Sequence, residues 1–221
     1  MHPMTTVHAR RRAGRLMLLS TLVALGGCFS LSRDAPAPRH YVLGPGEQPG
    51  TEGASMEPPA TVIGLRAPRL SDYLATPFVV VRQGANEIGF SRFDLWGESL
   101  AQAIGRSVAS HMGALNPDLR VEFAPWSTEA RPDHVIQLQI VHFEGVVPED
   151  SAGSLGAAHL LARWEIFRPR ETLPVARGTT EVRESDWPVG DVAALVALLE
   201  AALATLAQDL TEALAGLEPG G

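Results

Sequence analysis

The spacing of hydrophobic residues changes along this chain and divides it into strand-like and helix-like segments. Two-residue alternation or a short β-branched run favours a strand, whereas apolar residues three or four positions apart favour a helix. A short apolar piece at 40–43 is a candidate edge strand. The longer segments that predict strands are 61–65, 78–81, 88–90, 135–143, 156–167 and 173–184. A polar turn at 83–87 predicts that 88–90 pairs back on 78–81 as a hairpin.

The first helical stripe is formed by apolar residues at spacings of four. Ser91-x-x-Asp94 is typical of a capping box, so the helix is expected to begin there. Asn116-Pro117 disfavours helical geometry and predicts an end near Leu115. The residues of the stripe are Trp96, Leu100, Ile104, Val108 and Met112.

A second helical stripe occupies the last part of the chain. Asp191 is a candidate N-cap, and Gly216 and Pro219 predict the end of the helix. The apolar positions between them are Val192, Leu195, Leu199, Leu203, Leu206, Leu210 and Leu214. This order of strands, helix, strands and helix predicts an α/β (α+β) fold. We expect a two-layer domain with a mixed, mostly antiparallel sheet and two helices packed on one face.

The first 27 residues differ in kind from the rest. They hold Arg10, Arg11, Arg12 and Arg15, no acidic residue, and about ten mostly apolar residues from Leu16. A basic start, a short apolar stretch and small residues before a cleavage point are typical of an export signal. Leu-Gly-Gly-Cys at 25–28 resembles a bacterial lipobox, which implies that Cys28 is lipidated and becomes the new N-terminus. The alternative is a secreted protein with a buried free cysteine.

These features divide the chain into three parts. Residues 1–27 are predicted to be a lipoprotein signal peptide. Residues 28–59 are rich in proline, glycine and serine and are predicted to be a flexible tether. Residues 60–217 are predicted to form a single domain. Because Phe29, not aspartate, follows the cysteine, enteric-type sorting implies the outer membrane, with the domain facing the periplasm.

Composition excludes several classes of function. The 221 residues contain 18 basic and 25 acidic side chains, and every basic residue is arginine, so lysine chemistry is excluded. Removal of the leader would leave 14 basic and 25 acidic residues, a net charge of −11 over 194 residues. A nucleic-acid partner is not expected, because such binding needs cationic side chains against phosphates. The same charge argues against a polybasic membrane contact and leaves anchoring to the lipid.

No catalytic or cofactor motif is complete. Gly153-Ser154-Leu155-Gly156 lacks the first glycine of a nucleophile elbow. His142 and Glu144 would share one strand face, with His159 across a hairpin, as in a metal site. A third ligand of known spacing is missing, so a half-buried structural histidine is the simpler interpretation. Acidic residues at 144, 149 and 150 could form a carboxylate pair at a turn, where solvated acids are more common. We therefore predict no enzyme activity and no cofactor.

Two clusters carry more information than core packing requires. The first combines an aromatic residue, a proline before a strand and an arginine; its members are Tyr73, Leu74, Pro77, Val79, Val80 and Arg82. The second is Trp96, Gly97, Glu98, Ser99 and Leu100. Glu98 is expected near the N-terminus of a helix, where it could pair with Arg82. Fold maintenance alone remains an alternative explanation for both clusters.

In order and spacing the two clusters resemble the ABC-type transport auxiliary lipoproteins, the PqiC-like family. The segments 138–145 and 162–164 are similar to its central hairpin. The resemblance implies family-motif or partner-binding roles for Tyr73, Pro77, Arg82, Trp96, Glu98 and Leu100.

The resemblance also implies a function without chemistry. Such a lipoprotein would dock a periplasmic MCE-domain protein, which forms a hydrophobic conduit, and would serve an ABC permease and ATPase in lipid transport. It could assemble as a homo-oligomeric ring. A different class remains open: a self-contained lipid-binding or envelope-integrity lipoprotein, which predicts a deep apolar cavity in the monomer.

Overall fold

The computed structural model describes residues 36–44, 61–126, 131–148 and 155–217. The predicted signal peptide, Cys28 and most of the predicted tether lie outside these residues, as does Ser154. The strands are β1 (Arg39–Tyr41), β2 (Thr61–Leu65), β3 (Arg69–Leu70), β4 (Phe78–Gln83), β5 (Glu87–Trp96), β6 (Leu119–Phe123), β7 (His134–Val147), β8 (Leu155–Phe167) and β9 (Ala176–Pro188). The helices are α1 (Leu100–Leu115) and α2 (Val192–Ala215), and a single 3-10 turn covers Asp72–Leu74.

Strand β7 is the centre of the sheet. On one side it pairs with β8, which pairs with β9, both antiparallel and long. Along its other side it pairs in turn with β2, β3 and β4, all parallel and short. β6 extends the sheet from β2, and β5 and then β1 extend it from β4. The predicted mixed sheet with two helices is confirmed, and β3 and β6 are additional to the predicted strands.

The core lies between the sheet and the two helices. The buried face of β7 is formed by Ile136, Leu138 and Ile140, each fully buried, as the alternation predicted. A register shift follows Ile140, so Phe143 continues the buried face three residues later. On its opposite face β7 carries polar side chains, among them Gln137 and Gln139. The bulge at this shift lets a long strand stay in the sheet while its pattern changes phase.

Helix α2 begins and ends where the sequence predicted. The Asp191 carboxylate accepts a hydrogen bond from the backbone N–H of Ala194 at 3.0 Å, and Gly216 follows the last turn. Of the described helices, this one is long and apolar enough to cross a membrane by length and composition. Its stripe packs in the domain core instead, with Leu195, Leu199 and Leu203 fully buried. We therefore assign α2 as the central core helix.

The predicted start of the first helix is wrong. Ser91 and Asp94 lie within β5, which continues to Trp96, and α1 begins only at Leu100. The Ser91 hydroxyl donates to the Asp94 carboxylate at 2.5 Å, so the pair bonds within a strand irregularity and caps no helix. Trp96 is therefore a strand residue. The predicted end at Leu115 is confirmed.

An N-terminal arm, residues 38–44, packs on the domain although it falls within the predicted tether. Strand β1 pairs in parallel with the end of β5. The buried Asp94 carboxylate accepts from Arg39 Nε at 2.9 Å and from the Tyr41 hydroxyl at 3.1 Å. At the end of the arm, Gly44 N–H donates to Glu200 Oε2 at 3.0 Å. A strand is thus present at the candidate edge position, over 39–41 and not 40–43.

The same glutamate joins the two helices. Glu200 Oε1 accepts from the Ser107 hydroxyl at 2.6 Å and lies 2.8 Å from His111 Nε2. Ser107 is buried, so this carboxylate supplies its partner inside the helix layer. One side chain of α2 therefore holds α1 and the N-terminal arm together.

Candidate functional site

The two sequence clusters meet in the structure. The backbone N–H of Trp96 donates to the carbonyl of Pro77 at 2.8 Å, which joins the end of β5 to the start of β4. Residues 74–77 and 96–101 together line a groove of about 540 Å³, which we call the motif groove. Three of the predicted residues line it from the second cluster, Trp96, Glu98 and Leu100, and Pro77 lines it from the first.

Trp96 and Leu100 form the interior side of the motif groove. Their exposed fractions are only 5% and 4%. The Trp96 ring lies 6.1 Å from that of Phe143, between ring centroids, so it packs into the core. The Trp96 indole Nε1 is buried and has no hydrogen-bond partner among the described residues. An unmade bond of this kind costs about 1–3 kcal/mol, which makes the position unusual.

Glu98 does not pair with Arg82, contrary to the prediction. It lies before α1 and forms a two-pronged ion pair with Arg106, with Arg106 Nη1 donating to Glu98 Oε2 at 2.7 Å and Nη2 to Oε1. These hydrogen bonds lower the pKa of Glu98 below its usual value. Arg106 lies on α1, eight residues after Glu98. Glu98 therefore pairs with an arginine close in sequence and not with Arg82 on the neighbouring strand.

Arg82 instead pairs with Glu144, a carboxylate of β7 with no exposed side-chain surface. Arg82 Nε donates to Glu144 Oε1 at 2.8 Å, and the Tyr73 hydroxyl donates to Oε2 at 2.7 Å. The Arg82 guanidinium carbon also lies 5.6 Å from the centre of the Tyr73 ring. The parallel pairing of β4 with β7 and the 3-10 turn bring these residues to one carboxylate. Tyr73 and Arg82 thus act together in the structure.

Two histidines complete this group, which we call the Glu144 cluster (Tyr73, Arg82, His142, Glu144 and His159). His142 Nδ1 lies 2.9 Å from Glu144 Oε1, and the rings of His142 and His159 stack with centroids 4.6 Å apart. His159 Nε2 then lies 3.0 Å from the Glu181 carboxylate, which Arg183 also bonds. The sequence correctly placed His142, Glu144 and His159 on one face, but it did not find their link to Tyr73 and Arg82.

Burial and hydrogen bonding set the protonation of the Glu144 cluster. Burial alone raises the pKa of Glu144. Hydrogen bonds lower that pKa by more, so it is below its usual value. The donors are Tyr73, Arg82, the backbone N–H of Phe143 and His142. Burial, together with the carboxylate of Glu144, raises the pKa of Tyr73, which therefore stays protonated and donates. The cluster is a buried ion pair with its hydrogen bonds made.

His142, Glu144 and His159 offer ligand atoms within 4.8 Å of one another, the spacing of a metal site. Their geometry does not fit one. Both Glu144 oxygens already accept bonds from a cation or a hydroxyl, and stacked imidazoles direct their in-plane lone pairs along parallel planes, not toward one ion. The grouping is better described as structural. The sequence had suggested that Glu144 is a solvated acid at a turn, but it is a buried residue of β7. Positions 149 and 150 lie outside the described residues.

Most of the described domain matches a known protein family in sequence. Residues 41–211 match the sequence profile of the family described as the ABC-type transport auxiliary lipoprotein component. The chain belongs to this family. The matched range contains both motif clusters and the strands that bring them together. No curated protein matches the chain significantly in sequence.

Solved structures show the same fold at low sequence identity. A crystal structure of an uncharacterised protein superposes with a TM-score of 0.62 at 13% identity, covering 80% of this chain and 99% of its own. A Xanthomonas campestris protein of the DUF330 family superposes with a TM-score of 0.60 at 18% identity, covering 81% and 94%. Membership makes the chain an auxiliary lipoprotein component of an ABC-type transport system.

Proposed function

We propose that this auxiliary lipoprotein docks the periplasmic MCE-domain conduit of an ABC-type lipid transport system at the outer membrane. The observation that carries the proposal is that the motif groove brings Pro77 of the first cluster together with Trp96, Glu98 and Leu100 of the second. ATP hydrolysis would belong to the ATPase subunit and lipid passage to the conduit. The auxiliary lipoprotein would hold the conduit in place and alter no bond of the lipid.

The motif groove has features that suit a docked backbone segment. Its rim carries small exposed residues, Ala75, Gly97 and Ser99, over which a partner chain could approach closely. Ser99, at the N-terminus of α1, makes no side-chain capping bond, and the first N–H groups of a helix need acceptors from outside it. Carbonyl groups of a partner segment would satisfy such donors. The hydrophobic Trp96 and Leu100 lie beneath the rim and pack in the core.

Anchoring and assembly complete the proposal. Cys28 would carry the lipid, and Phe29 after it favours outer-membrane retention. A homo-oligomeric ring would need a different patch on each side of the protomer. Among the described strands, β9 pairs only with β8, so its outer edge offers one such patch.

The docking proposal is tested by substitution on the rim of the motif groove. Ala75→Arg places a long charged side chain at an exposed position, so the domain should fold normally while the partner is excluded. The expected result is at least a tenfold loss of MCE-domain protein and permease recovered with the tagged lipoprotein from native membranes. The matched control is Ala197→Arg, an exposed alanine of α2 at which arginine suits a helix.

Recovery should be unchanged in the control. If the unaltered lipoprotein recovers no MCE-domain or ABC subunit, the proposed function is wrong. If Ala75→Arg recovers both partners as well as the control does, the docking surface lies elsewhere.

The lipid anchor is tested at Cys28. Cys28→Ala removes the thiol to which a diacylglyceryl group would attach, so we expect an uncleaved precursor that incorporates no labelled palmitate. Stable anchoring takes two or more acyl chains, and the variant would carry none at this position. It should therefore be lost from the outer-membrane fraction. Label incorporation equal to that of the unaltered protein would contradict the assignment.

A further inference from the structure

The sheet face opposite the helices carries a groove lined by arginines from three strands. Arg69 of β3, Arg163 of β8 and Arg177 of β9 line it together with Gln137 and Gln139 of β7 and Thr179. Its volume is about 440 Å³. We call it the arginine groove. It shares no lining residue with the motif groove.

These three arginines have no ionic partner among the described residues, and they share one groove. Each is exposed, and none has an ion pair or side-chain hydrogen bond among the described residues. Some other arginines of the described part pair with acids, as Arg82 does with Glu144, and others, such as Arg92, form no ion pair there but do not line this groove. The chain has 25 acidic residues against 18 basic ones, so acids were available. Three cations against a single acid in one groove favour an anionic ligand from outside.

The strand register brings the three arginines within reach of one small group. Arg69 lies opposite Gln139, which lies opposite Arg163, so these two arginines are two strands apart in one row. Neighbouring strands lie about 4.8 Å apart, which separates their Cα atoms by about 10 Å. Arg177 is one strand further, in the adjacent row opposite Glu165. Three long side chains at these separations can meet on one anion.

We propose that the arginine groove binds a phosphate group, carried by a phospholipid head group or by a free phosphate ester. Guanidinium groups present planar pairs of N–H donors that match phosphate oxygens, and three of them would neutralise one phosphate. The side-chain amides of Gln137 and Gln139 and the Thr179 hydroxyl add neutral donors at the same place. The proposal does not depend on docking of an MCE-domain protein.

The composition of the groove limits what it holds. Its lining is polar, so acyl chains would stay outside, and its volume is within the range of small-molecule sites. Glu165 is the one acid among its lining residues, and it forms no ion pair within the described residues. A bound phosphate would be repelled by this carboxylate. Removing the charge should therefore strengthen binding.

The test is calorimetric titration of the detergent-solubilised full chain at low ionic strength. The probes are inorganic phosphate, glycerol 3-phosphate, dihexanoyl phosphatidylglycerol and, as a carboxylate anion, a hexaglutamate peptide. We expect binding of the phosphate probes, at least a tenfold weaker Kd in Arg163→Gln or Arg177→Gln, and a tighter Kd in Glu165→Gln. Arg92→Gln, an exposed arginine outside the groove, is the matched control and should bind as the unaltered chain does.

The probes also separate the sources of the phosphate. Tighter binding of phosphatidylglycerol than of inorganic phosphate supports a lipid head group, and equal binding supports a free phosphate ester. Binding of hexaglutamate alone, or an equal loss in Arg92→Gln, overturns the proposal. Because the titration contains no partner protein, its failure leaves the docking experiment unaffected, and the reverse also holds.

Discussion

Glu144→Gln is expected to lower the free energy of unfolding by about 3–5 kcal/mol at pH 7, the largest effect of any polar substitution we propose. Glu144 is fully buried, and Arg82, its partner, is only 18% exposed. Removing one charge of a buried pair leaves the other uncompensated in a medium that solvates it poorly. Urea unfolding monitored by circular dichroism measures the change. Glu98→Gln is the matched control, because the Arg106 side chain is 57% exposed and such pairs contribute about 0–1 kcal/mol.

The same substitution should change how stability depends on pH. The folded-state pKa of Glu144 is below its usual value of 4.5, so its contribution is present above that pH and is lost as the pH falls through the folded pKa. The difference in unfolding free energy between the unaltered protein and Glu144→Gln should therefore shrink below about pH 4.5. A difference that stays constant from pH 7 to pH 3 would show that the carboxylate charge is not what stabilises the cluster.

Trp96→Ala is expected to destabilise the domain by about 3–5 kcal/mol, because the indole is 95% buried and its removal leaves a cavity beside Phe143. Trp96→Phe should cost much less. It keeps an aromatic ring in the core, and the indole N–H that it removes has no acceptor among the described residues. Thermal and urea unfolding of both variants measure the two costs.

Two outcomes would contradict this account of Trp96. Equal destabilisation by alanine and phenylalanine would mean that the indole N–H makes a stabilising bond. An unchanged melting temperature in Trp96→Ala, combined with lost recovery of partner proteins, would make Trp96 a contact residue of the interface and not part of the core.

The sequence predicted α2 well and the start of α1 badly, for one physical reason. The signals for α2 are local: Asp191 caps the helix three residues away, and the apolar stripe repeats within it. Ser91-x-x-Asp94 is an equally good local signal, but Asp94 bonds instead to Arg39 and Tyr41, more than fifty residues away. The strand pairing that creates this contact has no signature near residue 94. A non-local partner therefore overrode the local pattern.

For the candidate site, too, the sequence predicted the local features and missed the contacts between distant residues. The residue types of Tyr73 and Arg82 marked them as more than core positions, and the alternation of β7 placed His142 and Glu144 on one face. Their mutual contact depends on the parallel pairing of β4 with β7, which joins residues about sixty positions apart. The position of Glu144, the single acid of β7, was the one available signal that it needed a buried cation. It was not sufficient to choose Arg82 over other arginines.

The N-terminal arm limits how far the domain can stand from its membrane. If Cys28 carries the lipid, ten residues separate it from Pro38, and β1 and the bond from Gly44 to Glu200 hold the residues that follow on the domain. Ten residues span at most about 35 Å when fully extended, whereas a free segment from 28 to 59 would span about 110 Å. The held part of the domain could then stand no farther than about 35 Å from the lipid surface. In the proposed docking at the outer membrane, the conduit would have to supply the rest of the reach between the two membranes.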